Sequence, residues 1–160
     1  MEAIARRHAR PVPADVLLHP IAIASLGLLI VNDHVLKGAF PGPITGKLSD
    51  FAGLVIFPLA LVATWELLRS LTGRKWMSGR LSIGVAVAVT GAVFAAVKLV
   101  PPATALVSEL FGVGQWLLTM PADGPLPTRI MTDATDLVAL PALLIAYVIV
   151  LRRREHGNDV

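Results

Sequence analysis

Asn32, Asp33 and His34 stand side by side at the end of a long apolar run, and Lys37 follows Asp33 at the i,i+4 spacing. A carboxylate beside an imidazole can relay a proton, hold a hard cation or act as a general acid or base. Asp33 would also lie in the last turn of a helix, where the macrodipole disfavours an anion. A local pair with Lys37 is the plainer account of it, and His34 does not share a face with Asp33. Six further charged positions carry matching chemistry. Lys47 precedes Ser49-Asp50, Arg129 precedes Asp133 and Thr135-Asp136, and Lys98 closes another apolar run. Ser49 and Thr135 are suited to N-capping, and carboxylates suit the first turn of a helix, so capping alone would account for both pairs. It does not account for Asp133. Lys37 and Lys98 at helix C-termini are favoured by the dipole and can snorkel to an interface.

The elements that must position these residues are apolar blocks. The 160 residues are 55 % apolar and only 16 % charged, with a mean hydropathy of +0.72. A membrane-crossing helix needs about 20 apolar residues. Four blocks qualify, over residues 16–36, 50–68, 81–99 and 135–151. The predicted fold is therefore all-α: a polytopic membrane protein with four transmembrane helices in a bundle spanning 16–151. Tails of residues 1–15 and 152–160 flank it. Residues 37–49 are rich in Gly and Pro and read as a loop. Residues 103–119 place Leu106, Val107, Leu110, Phe111, Leu117 and Leu118 on one helical face and Ser108, Gly112, Gln115 and Thr119 opposite. That pattern predicts an amphipathic helix along the outer interface, anchored by Trp116. Gly84, Ala88, Ala92 and Ala96 recur every four residues and predict a close-packing face on the third span.

Basic residues orient the bundle. Of 14 Lys and Arg, Arg6, Arg7, Arg10, Arg69, Arg74, Lys75, Arg80, Arg152, Arg153 and Arg154 fall at one end. The positive-inside bias places that end, with both termini, in the cytoplasm and the chain in the inner membrane. Lys37, Lys47, Lys98 and Arg129 then share the outer end with Asp33, Asp50, Asp133 and Asp136. Charges gathered at one membrane depth mark a candidate site comprising Asn32, Asp33, His34, Lys37, Lys47, Asp50, Lys98, Arg129, Asp133 and Asp136. Asp50, Asp133 and Asp136 are its metal-ligand candidates. At the opposite end, Glu66 is expected to pair with Arg69. The first span is expected to be retained, because no small-residue cleavage site follows it.

Without cysteine there is no disulfide, thiol or thiolate metal chemistry. No zincin, P-loop, dinucleotide or Ser-His-Asp signature is present, and nothing reads as a nucleic-acid footprint. Whether the chain is an enzyme, and which cofactor it would use, is not written in these motifs.

The string Gly46-Lys47-Leu48-Ser49-Asp50-Phe51-Ala52 resembles the start of the second span in VanZ-like proteins, small four-helix bacterial membrane proteins linked to glycopeptide tolerance and the cell envelope. Lys47 matches that family's Asp-Lys-x-x-His pattern, while Gly46 and Asp50 replace its acid and histidine. Arg129, Asp133 and Asp136 are similar in spacing to its later Gly-Arg, Asp and Asn positions, with Thr128 for Gly and Asp136 for Asn. The resemblance implies a bacterial cell-envelope protein of shared architecture. Three functions fit the residues. One is binding or processing an anionic lipid head group at the outer site. Another is an accessory subunit, docked on a larger membrane complex or a second copy. The third is a proton or cation pathway through Asp33, His34 and Asp50.

Overall fold

The computed structural model describes residues 12–40, 42–75, 77–119, 124 and 130–158, without the side chains of 118, 119 and 154–158. Among them there is no strand, and four helices are long and apolar enough to cross a membrane. A short 3-10 turn, Asp15–Leu18, precedes α1, Pro20–Ala39. Pro20 opens α1 at a position whose N–H has no helical partner to lose. His19 caps it, with Nδ1 accepting from the Ile21 N–H at 3.2 Å. Helix α2 runs Pro43–Leu71, α3 Arg80–Leu99 and α4 Pro101–Thr119. The last span, Ala134–Arg153, starts as a 3-10 helix over Ala134–Ala142 and continues as α5, Leu143–Asn158.

The second span begins seven residues earlier than its composition suggested. Pro43 starts it at the first helical position, where the fixed φ of proline favours a helix. Of the expected 37–49 loop, residues 37–39 and 43–49 are helical. Ser49 and Asp50 consequently lie inside α2 and cap nothing.

Helix α2 is central and packs on α1, α3 and both parts of the last span. Leu54, Leu59, Val62, Ile83, Ala139, Ala146 and Val150 form the core between them. Close approach of α3 occurs at Ala86 and Gly91: a Cβ on Gly91 would come within 3.0 Å of Leu143 Cδ1. The expected small-residue face is overturned, because Ala88 and Ala92 are exposed. Ile83, Ala86, Thr90 and Val97 are buried instead, so the opposite stripe, which mixes large, small and polar residues, makes the contact.

Helix α4 exists as expected, and its orientation explains its composition. Thr104 is buried, with its hydroxyl donating to Val97 O, and Gly112 is buried on the same face. Leu106, Leu110, Val113 and Leu117 are exposed. Thr104 and Gly112 thus face the bundle, while the leucines, with Glu109 and Gln115, are exposed. Phe111 meets Phe57 edge-on at 6.4 Å between ring centroids. Phe57 lies seven residues past Asp50, about 10 Å along the helix, so mid-α4 sits below the Asp50 end. Exposed Ile23, Ile30, Val85, Val89, Leu144 and Val148 continue the apolar outer surface on the other helices.

Candidate functional site

Three separate elements deliver four charges to one point. Lys47 and Asp50 project from α2, Lys98 from the last turn of α3, and Asp136 from the 3-10 start of the last span. Lys98 Nζ donates to Asp50 Oδ2 at 2.9 Å and to Asp136 Oδ2 at 2.7 Å. Asp136 Oδ1 accepts from Lys47 Nζ at 2.7 Å. The order Lys47–Asp136–Lys98–Asp50 alternates in sign, so each inner member is bonded on both sides. Lys98 and Asp136 side chains keep only 11 % exposure each. Lone charges so placed would be costly, and the alternation offsets part of that cost.

Lys47 also donates to Thr135 Oγ1 at 2.8 Å. The same hydroxyl donates to Asp133 Oδ1 at 2.8 Å. Asp133, not Thr135, is the N-cap of the last span: its Oδ1 accepts from the Thr135 N–H at 2.8 Å. Those two hydrogen bonds, from the Thr135 side chain and backbone, hold the Asp133 carboxyl below the ordinary carboxylate range. The cap lies two residues before the expected Thr135.

Asn32, Asp33 and Lys37 form a second arm. Lys37 Nζ lies 2.7 Å from Asp33 Oδ1, the expected i,i+4 pair. Ser49 Oγ on α2 also donates to that oxygen at 2.8 Å. Asn32 is fully buried, and its amide donates to Ser49 Oγ at 2.6 Å and Thr45 O at 2.7 Å. Its carbonyl oxygen has no hydrogen-bond partner among the described residues. His34 does not join: it is exposed, with Nδ1 against its own helix at Ile30 O, 2.9 Å away. Arg129 lies outside the described residues.

Backbone geometry aims these groups. Residues Asn32–Leu36 form a π-helical segment within α1, and Ala134–Ala142 form a nine-residue 3-10 run that contains Pro141. Both forms are rare at such length and recur at functional sites. The site is therefore flanked on both sides by helices that leave the α path where Asp33 and Asp136 project.

Metal ligation is poorly served. Asp50 and Asp136 converge on the Lys98 ammonium, and Asp133 points to Thr135 instead. Among the described residues no three His, Asp or Glu side chains gather around one point. A proton path is served no better. The next acid along α2 is Glu66, about 24 Å away by helical rise, and Leu54, Leu59 and Val62 are buried between.

Glu66 anchors a second polar cluster at that far end, which sequence reasoning missed. It is 0 % exposed and pairs with Arg153, not Arg69: Arg153 Nη1 donates to Oε1 at 2.9 Å and to Oε2 at 3.0 Å. The Ser78 and Ala14 N–H groups donate to the same carboxylate at 3.0 and 3.1 Å. Arg153 Nε also meets Asp15, and Nη2 donates to Val12 O. Arg69 instead stacks over Trp65, 5.6 Å from the ring centroid. The signal available in sequence was an acid deep within an apolar span with an Arg run elsewhere at the same depth. A shallow groove of about 290 Å³, lined by His19, Ile21, Leu144 and Arg152 among others, lies at this end, away from the charge network.

No family model, curated protein or solved structure matches this chain.

Proposed function

We propose that this multi-pass membrane protein binds a lipid head group at the outer end of its bundle, through Lys47 and its neighbours Asp133 and Thr135. The observation that carries the reading is the asymmetry of the charge chain. Lys98 is enclosed and doubly paired, whereas the Lys47 side chain keeps 29 % exposure with one carboxylate and one hydroxyl as partners. An ammonium has three N–H donors, so Lys47 retains one for an incoming oxygen. The ring of exposed apolar side chains below it supports acyl chains lying alongside the bundle. Lys98, Asp50 and Asp136 then act as the rigid base that holds Lys47 in place.

The assignment of this end to the outer face rests on the basic runs at the opposite end. Cysteine placed at position 157 should label only from the cytoplasm; labelling only from outside would reverse the orientation. The VanZ-like resemblance adds a bacterial envelope setting to the same proposal. Native mass spectrometry tests the binding claim. The protein released from native membranes should retain phospholipid, and Lys47→Gln should lose most of it. Equal retention by both would remove the head-group reading.

One observation favours a second reading. The alternating charges satisfy one another without any ligand, which suits an accessory subunit whose polar end is a clamp. Under that reading Lys47→Gln changes stability and leaves lipid retention alone.

A further inference from the structure

The groups at the open edge of the site carry both signs of charge. Lys47 Nζ and Asp133 Oδ1 each lie 2.8 Å from the Thr135 hydroxyl, which accepts from one and donates to the other. The ammonium and carboxylate are thus at most two hydrogen-bond lengths apart and fixed by a common oxygen. Neither is exhausted. Lys47 has an unused N–H, and Asp133 Oδ2 has no partner among the described residues. A simple phosphate would meet Lys47 but would also face Asp133 and Asp136. A ligand with a cation beside its anion turns that repulsion into a second contact.

We propose that Lys47 and Asp133 together read an ethanolamine-type phosphate, its phosphate on Lys47 and its primary ammonium on Asp133, a refinement that rests on the head-group reading above. The two-carbon arm of ethanolamine phosphate holds its charges at a separation comparable to that of the protein pair. The primary ammonium matters because it donates hydrogen bonds to a carboxylate, whereas a choline head carries the same charge with no N–H. Thr135 supplies the register by tying both protein charges to one point.

The probe is the detergent-solubilised full chain, with lipid occupancy read by native mass spectrometry and melting temperature as a second measure. Phosphatidylethanolamine, phosphatidylglycerol, phosphatidylcholine and soluble phosphoethanolamine are compared at equal concentration. Phosphatidylethanolamine should be preferred over the other two lipids by about tenfold, the worth of one charge-assisted hydrogen bond. Asp133→Asn keeps an acceptor for the Thr135 N–H but loses the charge, and it should bring phosphatidylethanolamine and phosphatidylglycerol to parity. Lys47→Gln should weaken all three lipids. Equal binding of phosphatidylethanolamine and phosphatidylglycerol by the unaltered chain would overturn the amine contact while leaving a phosphate site. Equal binding of phosphatidylethanolamine and phosphatidylcholine would overturn the N–H requirement. Failure of every lipid would overturn the head-group reading as well. Soluble phosphoethanolamine matching the lipid would support the charge pair and overturn the membrane as its source.

Discussion

Removing Lys98 should expose the logic of the charge chain. Its ammonium is the partner of Asp50 and one of two for Asp136. Lys98→Met would keep much of the stem volume and delete the charge. Asp136 would still hold Lys47 at 2.7 Å, but Asp50 would lose its ion pair and face Asp136 across the vacated position. Breaking a buried pair from one side costs about 3–5 kcal/mol. Lys98 and Asp50 keep 11 % and 16 % exposure, so some solvent relief should bring the loss to about 2–3 kcal/mol. The two possible rescues are not equivalent. Adding Asp50→Asn neutralises the stranded group and leaves the Lys47–Asp136 pair intact, so about 1–2 kcal/mol should return. Adding Asp136→Asn instead strands Lys47 as well as Asp50 and should restore nothing. The assay is reversible unfolding in mixed micelles by dodecyl sulfate titration, followed by tryptophan fluorescence. A loss below about 0.5 kcal/mol for Lys98→Met, or equal rescue by both second changes, would refute the alternating-chain account.

Three other expectations use different parts of the molecule. Arg153→Leu should cost about 3–5 kcal/mol because it strands the fully buried Glu66, whereas Arg69→Leu should change the same unfolding midpoint little, since Arg69 only covers Trp65. Gly91→Leu should destabilise by about 1–3 kcal/mol through collision with Leu143, and Ala92→Leu, on an exposed face, should be near neutral in a thermal melt. The Asp133 cap should persist to unusually low pH. Its carboxyl is lowered in the folded state, so its contribution is complete above the ordinary carboxylate value and disappears only as pH falls through the lowered folded value. Carboxyl carbon shifts of labelled Asp133 measure this directly, and a midpoint at or above 3.8 would contradict the hydrogen-bonded cap.

The four spans were legible because apolar blocks of bilayer length have few alternatives at 55 % apolar content. The Lys37–Asp33 pair was legible because helical spacing alone brings the two together. Shared membrane depth also pointed to Lys47, Asp50, Lys98 and Asp136, although not to the order in which they bond. What failed had physical causes. Gly and Pro between 38 and 46 suggested a loop, yet Pro43 is also a good first residue of a helix, and the second property decided the start. Ala88 and Ala92 had the spacing of a packing face, but helix rotation is set by every neighbour at once, and the Ile83–Thr90–Val97 stripe won. Glu66 had a cation one turn away and chose Arg153, which satisfies both carboxylate oxygens and sits on another helix. The 3-10 run carries one local mark, Pro141, which has no N–H for the α pattern, whereas no residue type marks the π-helical segment Asn32–Leu36.

A structure determined in lipid nanodiscs of phosphatidylethanolamine and phosphatidylglycerol tests the central claim most directly. The account predicts a head group seated at the end of α2, its phosphate within hydrogen-bond distance of Lys47 Nζ and its amine beside Asp133. Lys47 and Asp133 facing bulk water, with ordered lipid only elsewhere on the bundle, would contradict it.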